Sequence, residues 1–98
     1  MRILFIDPLG DRESTGLNIG IGYCARSVTD KGHVAGVLDL LNIRTPEPLR
    51  WIRRAVRSFR PDVVGMSVLN MSFRNTRSYA KDIRNYFGGA IVLGGPEI

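Results

Sequence analysis

Four short apolar runs alternate with segments of helical period, and this alternation constrains the chain more than any other feature. The runs are Ile3-Leu4-Phe5-Ile6, Val34 to Leu40, Asp62-Val63-Val64-Gly65-Met66 and Ala90-Ile91-Val92-Leu93. The first is continuously apolar and ends in Asp7-Pro8, as expected of a central strand buried on both faces. Between the first two runs, Leu17, Ile21, Cys24, Ala25 and Val28 form one helical stripe. That stripe predicts a helix from about Asn18 to Lys31, with Gly32 as its left-handed stop. Leu49, Ile52, Val56 and Phe59 form a second stripe. Thr45-Pro46 reads as its N-cap and first helical position, and Pro61 forbids its continuation. The third helix is expected from about Ser72 to Phe87, with Thr76, Tyr79, Ala80, Ile83 and Phe87 inward and Gly88-Gly89 closing it.

The predicted order is therefore β-α-β-α-β-α-β. Strands separated by helices of this length require right-handed crossovers and a parallel sheet covered on both faces. The expectation is an α/β fold, a three-layer doubly wound sheet of strand order 2-1-3-4. In such sheets ligands bind beyond the carboxyl ends of the strands, near the point where the winding reverses. That rule selects the segments Asp7 to Asn18, Leu40 to Thr45, Ser67 to Ser72 and Gly94 to Ile98 as the places for chemistry.

Composition narrows the function classes. A chain of 98 residues that is 44% hydrophobic has the size of one domain with one core. No stretch approaches the roughly 18 consecutive apolar residues of a membrane span, and the N-terminus lacks the basic head and cleavage site of a secretory signal. A soluble, cytoplasmic protein is expected. With Cys24 as its one cysteine, the chain cannot form an internal disulfide, a multi-cysteine zinc site or an iron–sulfur cluster alone. The net charge of +5 arises from twelve arginines against two lysines, five of the arginines lying between Arg50 and Arg60. Those five share a segment with an apolar helical stripe, which reads as the solvated flank of an amphipathic helix. No aromatic interleaving of the kind used by single-strand binders is present, which disfavours a nucleic-acid partner.

Ser67-Val68-Leu69 and Gly94-Gly95 match the S-x-L and G-G elements of cobalamin-binding domains in order, strand context and approximate separation. Taken with Met1-Arg2-Ile3-Leu4-Phe5-Ile6-Asp7-Pro8, Gly20-Ile21-Gly22-Tyr23, Pro61 to Ser67 and Val92-Leu93-Gly94-Gly95-Pro96, the chain resembles the N-terminal cobalamin-binding domain of radical S-adenosylmethionine enzymes. The resemblance covers nearly its whole length and implies a flavodoxin-like (Rossmann-like) fold. It also implies that the nucleotide tail of the cofactor inserts along the sheet, with the corrin ring over the carboxyl ends of the strands. Gly94 and Gly95 would give backbone clearance for the tail, Ser67 a hydroxyl for its base, and Leu69 and Val68 apolar contact near the corrin. Thr15, Gly16 and Asn18 would contact the lower cofactor face or the tail phosphate.

One departure bears on the cobalt. The methyltransferase and mutase type of this domain carries D-x-H-x-x-G, its histidine serving as lower ligand. Here the comparable stretch is Asp11-Arg12-Glu13-Ser14-Thr15-Gly16, and a carboxylate is a poor match for that role. The resemblance therefore implies base-off cobalamin without a histidine below it, as in the radical-enzyme variant. The lone histidine, His33, falls between the first helix and second strand, at the opposite end of the sheet.

Other readings compete. Gly20-Ile21-Gly22-Tyr23-Cys24-Ala25 satisfies G-x-G-x-x-A with Asp39 beyond it, but it lies about a dozen residues too late for a dinucleotide fingerprint. Ser14-Thr15-Gly16-Leu17-Asn18 is similar to a flavodoxin phosphate loop, which keeps a flavin or nucleotide-binding protein as the alternative. A receiver domain would need an acidic residue where Ser67 stands. A hydrolase would need a base near Ser67 or Cys24, and none is identifiable.

The resembled domain ordinarily continues through another helix and a fifth strand, so a C-terminally truncated single domain over residues 1–98 is expected. Its fourth strand would expose an edge open to self-association. No catalytic residue or metal ligand is expected in the chain itself. The implied iron–sulfur cluster, S-adenosylmethionine and catalysis, whether methyl transfer or cyclisation, would belong to a radical S-adenosylmethionine partner domain. A non-binding interaction remnant is the third class.

Overall fold

The computed structural model of the protein describes residues 1–7, 19–40, 45–67 and 73–94. Its elements are β1 (Arg2–Asp7), α1 (Ile19–Asp30), β2 (Val34–Asp39), α2 (Pro48–Phe59), β3 (Val63–Ser67), α3 (Phe73–Arg84) and β4 (Ala90–Gly94). The four strands form one parallel sheet in the order β2-β1-β3-β4, as the alternation predicts. The chain steps from β1 to β2 in one direction, then back past β1 to β3 and β4. Right-handed crossovers consequently place α1 on one face and α2 with α3 on the other.

The face under α2 and α3 carries the main core. Leu4, Ile6, Leu38, Val64 and Met66 from the strands meet Ile52 and Val56 of α2 and Tyr79 and Ile83 of α3. Ile6, Ile52, Val64 and Ile83 are completely excluded from solvent. Each such side chain contributes roughly 1.5–3 kcal/mol over leaving it in water. The third helical stripe behaves as predicted: Thr76, Tyr79, Ile83 and Phe87 are buried and Ala80 is partly buried. Burial raises the Tyr79 phenol above its ordinary range.

Local sequence explains most boundaries. Gly32 takes φ +89 after α1, the left-handed stop expected there. At the end of α2 the same conformation falls on Arg60, φ 54, whose N–H donates to Val56 O before Pro61 turns the chain away. The entry to α2 differs from expectation. The helix starts at Pro48 with Glu47 as N-cap, and the Thr45 hydroxyl oxygen accepts from the Glu47 N–H at 3.0 Å. Thr45-Pro46-Glu47-Pro48 offers two prolines, and the second takes the first turn, where its missing N–H costs nothing. Gly88-Gly89 also works otherwise than expected, since neither takes a left-handed conformation. Gly88 stands in open space, whereas a Cβ on Gly89 would collide with Asp62 O and the Phe87 ring.

Two members of the apolar stripes face outward. Cys24 is exposed on α1, and Leu49 is 38% exposed at the start of α2. Helical spacing marks a face but not how far along the helix the sheet reaches beneath it. Gly36 of β2 has a packing role the sequence did not announce. A Cβ there would lie 2.9 Å from Phe59 Cε1, so the missing side chain is the seat of the Phe59 ring. The Arg2 guanidinium covers the same ring at 4.3 Å.

The amino ends of the strands are tied together. Arg2 N donates to Asp62 Oδ2 at 2.8 Å, Asp62 N to Arg2 O at 2.7 Å, and Arg2 Nε to Phe59 O at 2.8 Å. His33 Nδ1 lies 2.8 Å from the terminal amine of Met1, while Val34 N donates to Met1 O. Arg84 Nη1 donates to Phe87 O and Gly89 O, clamping the turn that enters β4. Among the described residues, no helix is long and apolar enough to cross a membrane.

Candidate functional site

The amino ends are closed by these bonds, and at the carboxyl ends β1, β2, β3 and β4 finish at Asp7, Asp39, Ser67 and Gly94. The winding reverses between β1 and β3, which places the crevice of a doubly wound sheet there. The β1–β3 pairing runs to Ile6 opposite Met66, so Asp7 and Ser67 flank the crevice one residue further on.

The register joins two of the residues singled out from the sequence. Ser67 and Gly94 are direct partners across β3 and β4. They come from motifs separated by a helix, and the parallel pairing sets them side by side at the end where a ligand would enter. Among the described residues, a Cβ built on Gly94 meets nothing within 4 Å. Partners in register share a sheet face, and Gly65 with Val92 lies two residues back on that same face. The Phe5 ring lies against Gly65, its Cδ1 3.3 Å from where a Cβ would stand. A group entering between Ser67 and Gly94 would thus meet no described side chain at Gly94 and an aromatic wall below.

Thr15, Gly16, Asn18, Val68, Leu69 and Gly95 lie outside the described residues, as does Glu13. His33 is at the far end of the sheet, against the terminal amine. No group of three or more His, Cys, Asp or Glu that could hold a metal ion occurs among the described residues.

Sequence reading passed over one feature of this end. Asp7 is 2% exposed and pairs in register with the half-buried Asp39, which puts two carboxylates on adjacent strand ends. Both are engaged in polar interactions. The available signal was the acidic residue that stops each apolar run, Asp7 before Pro8 and Asp39 within Leu38-Asp39-Leu40. An acid at a strand's carboxyl end is a common way of ending burial, so its spacing alone did not mark it.

Elsewhere, α2 and α3 are joined by Arg53 Nη2 and Asp82 Oδ1 at 3.6 Å, with the Arg53 guanidinium also 5.2 Å from the Tyr86 ring centre. Asp82 Oδ2 and the Tyr86 hydroxyl are buried without a hydrogen-bond partner. Burial and the Asp82 carboxylate raise the Tyr86 phenol, while Arg53 and Arg57 act the other way. These groups lie between helices and away from the strand ends. No family model, curated protein or solved structure matches the chain.

Proposed function

We propose that this chain is a corrinoid-binding module that holds base-off cobalamin for a catalytic domain of the radical S-adenosylmethionine type. The observation that carries the reading is the register pairing of Ser67 with Gly94 at the carboxyl ends of β3 and β4, where no described residue meets a Cβ built on Gly94. Ser67 and Gly94 are the described members of the S-x-L and G-G motifs. Both stand at the carboxyl ends of the strands, where a doubly wound sheet binds its ligands.

The residues present fit the cofactor's nucleotide tail. In this reading the base enters beside Gly94, where no described side chain intrudes, and Ser67 supplies a hydroxyl for it. The Phe5 ring against Gly65 sets the depth of the slot and offers an apolar floor. The resemblance would add Thr15, Gly16 and Asn18 for the tail phosphate or lower face, and Val68, Leu69 and Gly95, all outside the described residues. The cofactor supplies the cobalt chemistry. The chain supplies position and excludes water, and no histidine is called on as cobalt ligand, His33 being bonded at the other end.

Titration of the purified chain with hydroxocobalamin, followed by visible absorption, tests the proposal. A saturable shift to a base-off spectrum is expected. A parallel fluorescence titration with flavin mononucleotide addresses the flavodoxin-like alternative: tight flavin binding with no cobalamin response would overturn the corrinoid reading.

A further inference from the structure

α2 carries four arginines and no acid among its twelve residues, whereas α1 and α3 each hold one acid, Asp30 and Asp82. The helix connects β2 to β3 and packs on β1, β2 and α3, at the end of the sheet opposite β4. Ile52 and Val56 face the sheet, with Ala55 and Phe59 packed beside them. The helical repeat then lines Arg50, Arg54 and Arg57 along the far side at i, i+4 and i+7, all three exposed. Their ridge spans about 10 Å of helix.

Only part of this charge is matched. Arg50 Nη1 lies 3.4 Å from Glu47 Oε2, and Arg53 turns toward Asp82 on the α3 side. Among the described residues, no acid pairs with Arg54 or Arg57. Like charges at these spacings repel one another along a helix, and an added anion relieves the repulsion. Trp51 stands two positions before Arg53 and so on the opposite flank, away from α3. It is 39% exposed, and the Arg54 guanidinium lies 5.7 Å from its ring centre. Tryptophan and arginine are the side chains that most often anchor a protein partner.

We propose that this face of α2 binds an acidic segment of a partner protein, whose carboxylates engage Arg50, Arg54 and Arg57 while an apolar residue beside them covers Trp51. Guanidinium groups match carboxylates through two parallel hydrogen bonds, which favours arginine over lysine for this purpose. The length of the partner's charged run follows from the acids that bound the ridge. Glu47 stands at its start, Asp62 shortly past its end in the chain, and Asp82 along the α3 side. A nucleic-acid strand, charged at every nucleotide, would run on over these carboxylates, whereas a short acidic segment lies between them. A membrane surface would call for apolar side chains to insert, and Ile52 and Val56 are buried in the core. A second copy lacks the complement, since no described helix or strand holds more than one acid. The inference rests on α2 and is independent of the corrinoid reading.

The test is selection of short random displayed peptides on the wild-type protein, followed by binding measurements with synthetic copies of the recovered sequences at about 0.15 M salt. Recovered peptides are expected to carry clustered Asp or Glu next to an aromatic or aliphatic residue. R54E/R57E should weaken them about tenfold or more, and Trp51→Ala about tenfold. The comparison variant R77E/K81E makes the same charge change at exposed positions of α3 and should leave affinity within about twofold. Circular dichroism and urea unfolding check that each variant keeps the fold. Equal weakening by R77E/K81E and R54E/R57E would reduce the attraction to net charge and overturn the proposal. So would recovery of no peptides, of peptides without acidic residues, or of peptides that bind R54E/R57E as tightly as wild type. A labelled oligothymidylate that binds more tightly than the recovered peptides and loses affinity in R54E/R57E would overturn it in favour of nucleic acid. A dimer in sedimentation that R54E/R57E abolishes would do so in favour of a second copy.

Discussion

β1 and β4 are almost interchangeable as sequence and very different as structure. Ile3-Leu4-Phe5-Ile6 and Ala90-Ile91-Val92-Leu93 are both continuous apolar runs that close at a turn-forming sequence. In the sheet, β1 has strands on both sides, with Ile3, Leu4, Ile6 and Asp7 buried. Among the described residues, β4 has a strand on one side only, and Val92, Leu93 and Gly94 are exposed. The comparison teaches that apolar pattern expresses what a strand can tolerate, whereas burial depends on which neighbours the topology supplies. β4 carries the residues of an interior strand while having, among the described residues, one strand neighbour.

Substitutions can break this comparison. Ile6→Ala removes a side chain with no solvent exposure and should cost about 2–5 kcal/mol in urea unfolding. Val92→Ala should cost less than about 1 kcal/mol, because half of its side chain is already in water. Equal losses at the two sites would mean that β4 is covered in solution. The entrance to β4 provides a sharper contrast. Gly89→Ala should destabilise by roughly 1–3 kcal/mol, since its methyl meets a backbone carbonyl and the Phe87 ring, while Gly88→Ala should be tolerated. Edge exposure thus begins only after a tightly held turn.

A smaller effect concerns α3, which links the two strands' environments. Tyr79 and Tyr86 have phenols raised by burial, so the folded state holds their protons beyond the ordinary value of about 10. Their contribution is fully present below that pH and is lost as pH rises from there through the folded-state values. Denaturation melts should show stability falling above about pH 10, with a shallower fall in Tyr86→Phe. At neutral pH, Tyr86→Phe should be neutral or slightly stabilising, because it removes a buried hydroxyl that has no partner.

Most of the fold was legible because periodicity reports it directly. The runs at Ile3, Val34, Val63 and Ala90 became strands, and the stripe from Thr76 to Phe87 became the buried side of α3 and the turn after it. Less legible were features that depend on a distant contact. Gly36 looks like an ordinary strand glycine until Phe59 is seen resting on it, and Gly88 and Gly89 look equivalent until Asp62 O is seen against one of them. Cys24 fitted the helical stripe but lies where no sheet covers it. At the candidate site, the motifs named Ser67 and Gly94, and the right-handed crossover rule placed them at one end of the sheet. Their direct pairing required the register, which no sequence pattern specifies.

The most direct test of the corrinoid reading is to compare hydroxocobalamin titrations of the wild-type chain and Gly94→Val. A Cβ at Gly94 meets no described residue and the backbone there is not left-handed, so the variant should keep its circular dichroism and unfolding midpoint. The account predicts a saturable base-off spectrum for wild type and its loss in Gly94→Val. A folded variant that binds cobalamin as tightly as wild type would contradict the placement of the nucleotide tail between Ser67 and Gly94, and a wild-type chain with no cobalamin response would contradict the corrinoid reading itself.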